Sequence, residues 1–267
     1  MSSEPTVHEL FDLSGRTVLV TGAAGYLGTA FCRALAEAGA VVVAASSSSL
    51  ERVQTLVEQL PTPDAAKHSA VLLDHTDQDA CQAGFAAAVE QAGGVDILIN
   101  NGVEACPWDL TEITHQQFAR QQANSAGCFV LARCLRDHAV EQNRSGNVIM
   151  IGSMYGLVAS YPDVYEGVCS ASSVAYHALK GGVLQMTRHL AAYWAKDHVR
   201  VNCLSPGPFP NPEKAPPELV DRLREKSPVR RMGAAAELKG AIVFLASEAS
   251  SYVTGQNLVV DGGWTAW

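Results

Sequence analysis

Seven short runs rich in apolar and β-branched residues alternate along this chain with stretches of helical periodicity. The runs are Thr17 to Thr21, Ala40 to Ala45, Ser69 to Asp74, Val95 to Asn100, Asn147 to Ile151, Val199 to Leu204 and Asn257 to Val260. The helical stretches are Tyr26 to Ala38, Leu50 to Gln59, Asp77 to Gln91, Thr114 to Gln142, Val174 to Lys196 and Ala234 to Ser247. The runs lack the strict apolar–polar alternation of a strand with one wet face, so each reads as a strand covered on both sides. Strand and helix in strict succession then predict an α/β fold: a doubly wound, seven-stranded parallel sheet with helices on both faces. Neither linker nor repeat interrupts the rhythm, and residues 1–267 read as one domain.

Composition serves mainly to exclude. With 48% hydrophobic and 17% charged residues, the chain is neither intrinsically disordered nor a coiled coil. Nineteen Lys and Arg against 27 Asp and Glu leave a formal charge of −8, a field that repels nucleic acid and anionic membrane surfaces, so neither is expected as a partner. The longest apolar run, Ala38 to Ala45, is far short of the about 20 residues needed to span a bilayer. The first twelve residues carry Glu4, Glu9 and Asp12 and no Lys or Arg, which lacks the pattern of a secretory signal and gives a cytoplasmic expectation. Seven cysteines without a Cys-x-x-Cys pair read as core filler in a reducing compartment, with no metal site.

The most informative local pattern follows the first run: Thr21-Gly22-Ala23-Ala24-Gly25-Tyr26-Leu27-Gly28, then a helical stretch. Strand, glycine loop and helix in that order form the context in which Gly22 permits the tight turn. Gly25 lets the backbone approach a pyrophosphate, and Gly28 lets the helix pack closely. The exposed N–H groups and dipole of the helix N-terminus, at Tyr26 and Leu27, then face the anion. In such a fold an acidic residue at the end of the second strand grips the ribose of NAD; here the chain runs Ala45-Ser46-Ser47-Ser48-Ser49. With no carboxylate to repel a 2′-phosphate and hydroxyls at Ser46 and Ser47 to donate to one, NADP(H) is modestly favoured over NAD(H), although the nearest cation is Arg52. Serine also caps the helix starting at Leu50.

Two irregular stretches follow strands where open α/β sheets bind ligands, at about 154–173 and 206–217. The first carries Tyr155, Tyr161, Asp163, Tyr165, Glu166 and several serines; the second holds six prolines in twelve residues. Both are expected to be substrate loops.

With Tyr176 four residues before Lys180, the ordered set of motifs resembles the short-chain dehydrogenase/reductase family over nearly the whole chain. It comprises the Thr-Gly glycine loop, Asp74, Asn100-Asn101-Gly102, Asn124, Ser153, Tyr176 with Lys180, Pro206-Gly207 and the ending Val260-Asp261-Gly262-Gly263-Trp264. The resemblance implies a Rossmann fold and a catalytic set of Asn124, Ser153, Tyr176 and Lys180. Asp74 and the backbone of His75 then resemble the adenine contacts, and Asn100 with Gly102 the turn beneath the nicotinamide ribose. Pro206 and Gly207 border the carboxamide, and Asn211 stands where the family often has Thr. His75 reads better as a surface or capping histidine than as a catalytic group.

Hydride transfer at a carbinol carbon needs a proton carrier on the oxygen, and a phenol with an ammonium on the same helix face meets that need. The resemblance gives Lys180 a second task, on the nicotinamide ribose, gives Asn124 a water relay, and puts the Ser153 hydroxyl on the substrate oxygen. Three features depart from the family's usual pattern: Tyr26 replaces a Gly, Asn100-Asn101-Gly102-Val103 stands for Asn-Asn-Ala-Gly, and Asn211 stands for Thr; Ser153 and Tyr176 also lie farther apart than is usual. The loop hydroxyls and carboxylates suit a polyhydroxylated substrate, and the loop and chain ending are similar to gluconate 5-dehydrogenase-like and flagellin-glycan modification oxidoreductases. The expected function is NAD(P)-dependent interconversion of a secondary alcohol and a ketone on a small polar substrate. A 3-oxoacyl-carrier-protein reductase is the alternative enzyme, and a catalytically silent dinucleotide-sensing protein the alternative of another class. Homotetramer formation is also expected, from the long helix starting at Thr114, the helix carrying Tyr176, and a tail whose Trp264 and Trp267 a monomer would expose.

Overall fold

The computed structural model describes residues 4–62, 67–105, 108 and 110–266. Its elements run α1 (Val7–Phe11), β1 (Thr17–Val20), α2 (Tyr26–Glu37), β2 (Val41–Ser46), α3 (Leu50–Glu58), β3 (Ser69–Leu72), α4 (Gln78–Ala92), β4 (Ile97–Asn100), α5 (His115–Glu141), β5 (Gly146–Ile151), α6 (Pro162–Tyr165), α7 (Val174–Trp194), β6 (Val199–Pro206), α8 (Pro217–Lys226), α9 (Lys239–Ala246) and β7 (Asn257–Val260). All seven strands lie in one parallel sheet in the order β3-β2-β1-β4-β5-β6-β7. The order reverses between β1 and β4, where Val18 pairs with Val41's neighbour Val42 on one side and with Ile97 on the other. Beyond the carboxyl ends of these strands the crossovers diverge to opposite faces and leave a crevice.

Side-chain alternation along each strand divides the core into two layers. Leu19, Val43, Leu98, Val148 and Met150 pack with Phe85, Leu131, Leu135 and Leu179 from α4, α5 and α7. Val18, Val20, Val42, Ile97, Ile99 and Ile149 pack with Phe31, Leu35, Val53 and Ile242 from α2, α3 and α9. Local sequence sets the helix starts: Ser49, Asp77 and Ser173 cap α3, α4 and α7, and Thr114 with Gln117 forms a capping box on α5.

Several boundaries differ from the periodicity. The expected helix over 234–247 divides into a 3-10 turn at Ala235–Leu238 and α9. Helix α8 occupies a stretch that reads as irregular, because it opens on Pro216-Pro217 and buries only Leu223, leaving no apolar stripe to see. Helices α1 and α6 are too short for periodicity to register. Among the described residues no helix is long and apolar enough to cross a membrane, and no three His, Cys, Asp or Glu gather as metal ligands.

Trp264 corrects the expectation made from the tail. Its side chain is 2% exposed, buried within its own chain against Met154, Val164 and Leu223 and edge-on to Tyr161 at 5.4 Å. A neighbouring subunit is therefore not required to cover it; Trp267 lies outside the described residues. Cys32, Cys81, Cys128 and Cys203 are buried, and burial pushes the Cys32 and Cys81 thiols up to about 12 and those of Cys128 and Cys203 up to about 11, as inert core thiols require. Cys134 is half-buried and Cys169 exposed, while Cys106 lies outside the described residues.

Candidate active site

The crevice at the β1–β4 reversal is a cleft of about 1000 Å³. Gly22, Gly25, Tyr26, Leu27 and Gly28 line one wall, and Ser46, His75, Gly102 and Asn211 line others. The glycine loop is sterically committed. A Cβ on Gly28 would stand 2.2 Å from the Gly22 carbonyl oxygen, and one on Gly22, at φ 60°, 2.9 Å from the Gly102 Cα. Gly25 caps α2 without a side chain, so nothing from the loop covers the first-turn N–H groups. A backbone cradle left open at a helix N-terminus fits a dinucleotide pyrophosphate. Cations gather here despite the negative chain: among the described residues Arg33, Arg52, Lys214 and Lys239 line the cleft with a single acid, Glu213.

Ser153, Tyr176 and Lys180 lie where β5 meets α7. Gly156, in the 3-10 turn Met154–Gly156 after β5, packs so tightly on α7 that a Cβ there would stand 2.7 Å from the Lys180 carbonyl oxygen. Ser153, buried, opens that turn, and its Oγ accepts the Tyr155 N–H at 3.1 Å. Lys180 is buried, its Nζ donating to the Ile151 carbonyl at 2.7 Å and lying 5.6 Å from the Tyr176 ring centroid. One ammonium donor is thus fixed to the end of β5, two residues before Ser153, and two remain. Tyr176 is half-buried and lines a second cavity, of about 510 Å³, with Tyr165, Ser172 and Glu104.

Other candidates take different positions. The Asn124 side chain, 1% exposed, accepts the Glu104 N–H at 2.6 Å and donates to the Gln121 carbonyl at 2.8 Å, and so braces the loop after β4. His75 is neither a surface nor a capping residue: it is buried, with Nε2 2.8 Å from Asn124 Oδ1. Asn100 turns its amide away from the cleft onto the Cys128 carbonyl and Met150 sulfur, joining β4 to α5 and β5. Its neighbour Asn101 lines the cleft and ties the Thr21 and Gly22 carbonyls, a role the sequence reading did not assign. The Asp74 carboxylate is spent on the N–H and hydroxyl of Thr76, bonds that hold it below the usual carboxylate range, and the cleft is lined by Leu73 and His75 on either side of it. Pro206 and Gly207 end β6 beside β7, a Gly207 Cβ standing 2.4 Å from the Asp261 Cα, while Phe209 and Asn211 reach the cleft. Arg33, an unmarked residue of α2 in the sequence, also lines it.

The stretch over 154–173 is clasped to α8. Asp163 of α6 bonds Lys226 of α8 at 2.6 Å, and Arg222 donates to the Asp163 and Glu166 carbonyls at 3.0 and 2.7 Å. Lys226 also lies over the Tyr161 ring.

Residues 22–265 match a family model described as enoyl-(acyl carrier protein) reductase. The chain is 36% identical over 265 residues to a galactitol 2-dehydrogenase (L-tagatose-forming) of Cereibacter sphaeroides, covering 97% of this chain and 98% of that protein. It is 32% identical over 277 residues to a ribulose-forming D-arabinitol 2-dehydrogenase of Scheffersomyces stipitis, covering 96% of both. A solved gluconate 5-dehydrogenase of Burkholderia cenocepacia, in complex with NADP and tartrate, superposes with a TM-score of 0.86 at 28% identity, covering 98% of this chain and all of that one. Sheet order, glycine cradle and the Tyr176–Lys180 helix face, together with these similarities, make the chain an oxidoreductase that belongs to the short-chain dehydrogenase/reductase family.

Proposed function

We propose that this protein interconverts a secondary alcohol and its ketone on a small polyhydroxylated molecule, using NADP(H). The observation that carries the reading is Tyr176, half-buried on the wall of the smaller cavity, with the Lys180 ammonium beneath its ring. The nicotinamide, when bound, supplies the acceptor or donor of the hydride. In oxidation Tyr176 takes the hydroxyl proton as the carbinol carbon loses its hydride; in reduction it returns that proton to the oxygen. Lys180 stabilises the phenolate, and the Ser153 hydroxyl holds the substrate oxygen. Gly22, Gly25 and Gly28 would hold the pyrophosphate.

Cofactor choice rests on the cleft. The Ser46 hydroxyl accepts the Ser48 and Ser49 N–H groups, both at 3.3 Å, and keeps its own hydrogen for a phosphate oxygen. Arg52 lies in the same cleft, its guanidinium 3.2 Å from the Ala24 carbonyl. These groups favour a 2′-phosphate. Solved relatives that hold NADP or depend on NADPH support the same choice. We also assign a cytoplasmic location and a homotetramer. Support for assembly is now the exposed apolar surface on α5 and α7, at Phe129, Val140 and Tyr193. Light scattering tests it, and a mass near 28 kDa refutes it. Absorbance at 340 nm with NADPH, NADH and their oxidised forms across polyols, sugars and sugar acids tests the activity; turnover of none of them refutes it.

A further inference from the structure

Dehydrogenases of neutral polyols and of an aldonate are among the similar proteins, and the smaller cavity carries features that separate these two kinds of molecule. The loop over 154–173 brings five candidate polar side chains, but the fold turns most of them away. Asp163 is spent on Lys226 at the outer surface, Glu166 is exposed, and Tyr161 packs edge-on to Trp264. Tyr165 alone of the five lines the cavity, together with Ser170, Ser172 and Ser173. Its hydroxyl lies 2.7 Å from that of Tyr155, whose ring stacks on His177 at 4.7 Å. A hydroxyl pair leaves one hydrogen unspent. If Tyr155 donates, Tyr165 keeps a hydrogen for a ligand; if Tyr165 donates, its lone pair receives one. Burial pushes both phenols above their ordinary range, so the pair stays neutral where Tyr176 works.

Charge points the same way. Among the described residues the one charged side chain lining this cavity is Glu104, whose carboxylate is bonded to Arg120. Among the described residues no cation lines the cavity: Arg120 is paired with Glu104, Lys180 stands behind the Tyr176 ring with one hydrogen on the Ile151 carbonyl, and Arg222 and Lys226 are bonded to α6 and the residue after it. His177 is held below its ordinary range by burial, with Nε2 3.2 Å from the Ser172 hydroxyl. An aldonate carboxylate entering here loses water and meets a carboxylate, not a cation, among the described lining residues.

We propose that this cavity selects a neutral polyol over an aldonate, with the Tyr165 hydroxyl, held by that of Tyr155, engaging a second hydroxyl of the substrate. The inference rests on the oxidoreductase reading above and deepens it. Its test uses the intact protein with NADP⁺ and NAD⁺ and three probes: galactitol, D-gluconate and 2-pentanol, which has a single hydroxyl. The wild-type kcat/KM for galactitol is expected to exceed that for gluconate by at least about 100-fold, the scale on which a site rejects a group it leaves unmatched. In Tyr165→Phe the ratio of kcat/KM for galactitol over 2-pentanol is expected to fall about 10-fold, the loss of one hydrogen bond. Tyr155→Phe, which frees Tyr165 to turn, is expected to lower the same ratio and so keeps the test open if one variant folds poorly. Comparable rates on gluconate and galactitol, or an unchanged ratio in both folded variants, would overturn the inference and leave the oxidoreductase reading standing. Turnover of none of the three by the wild-type protein would overturn that reading, and the inference with it.

Discussion

Asn124 Oδ1 accepts two hydrogen bonds, from His75 Nε2 at 2.8 Å and from the Glu104 N–H at 2.6 Å. An amide oxygen that accepts requires the imidazole to carry its hydrogen on Nε2, which leaves Nδ1 beside Gly102, 3.0 Å from where a Cβ on that glycine would stand. His75 thereby links the end of β3 to the α5 residue proposed for the proton relay, behind the turn at Gly102. His75→Val is expected to lower turnover about 10-fold with NADPH affinity little changed, and His75→Gln, which keeps a donor, to recover most of it. Steady-state rates beside fluorescence titration of NADPH decide this; full turnover in the valine variant would reduce the histidine to a space-filling role.

Removing the proton carrier separates chemistry from binding. Tyr176→Phe keeps the ring and is expected to lose at least about 100-fold in kcat, the usual scale for a general acid or base, while NADPH binding holds. Near-normal turnover would defeat the assignment.

The proposed NADP preference is tested at the residues that end and follow β2. Ala45 is fully buried in the sheet core, so a carboxylate introduced there would unfold the chain before it met a ribose. Ser47 is exposed and lines the cleft. Ser47→Asp should shift preference toward NADH by charge repulsion, and Arg52→Ala should weaken NADPH while sparing NADH. Equilibrium titrations of both nucleotides provide the comparison; a native protein that strongly prefers NADH would contradict the NADP assignment.

Burial holds His177 below its ordinary 6.5. Below pH 6.5 the unfolded chain therefore binds more protons than the folded one, and stability present above that pH is lost as pH falls through the folded value. The difference in urea midpoint between pH 7 and pH 5 should be smaller in His177→Asn than in the wild type. An equal difference in both would show that burial of this ring carries none of the acid sensitivity.

The buried indole of Trp264 predicts a stability effect within the single chain. Trp264→Ala should cost about 3–5 kcal/mol by urea unfolding, as large-to-small core changes do. Trp264→Phe should cost less, because it removes the indole N–H, which has no hydrogen-bond partner among the described residues. A loss below about 0.5 kcal/mol in the alanine variant, the scale of a surface change, would return the tail to the surface.

The sequence alone determined the class of sheet, because doubly apolar runs separated by helical stretches call for parallel strands covered on both faces, and it located the glycine cradle and the Tyr176–Lys180 pair, because each is a local pattern of a few residues; the strand order β3-β2-β1-β4-β5-β6-β7 belongs to the tertiary structure. Tertiary structure decided everything that depends on where a side chain points after the chain has crossed the sheet. Asn100 and Asn101 are adjacent and alike in sequence, yet strand alternation sends one into the α5 layer and the other to the glycine loop. Asp163 and Tyr165 stand two residues apart in one short helix, and packing of α8 draws the first outward to Lys226 while the second faces the cavity. Trp264 shows the same limit: its apolar character is legible in the sequence, but the Met154, Val164 and Leu223 that cover it come from segments between about 40 and 110 residues away, whose meeting no local pattern records.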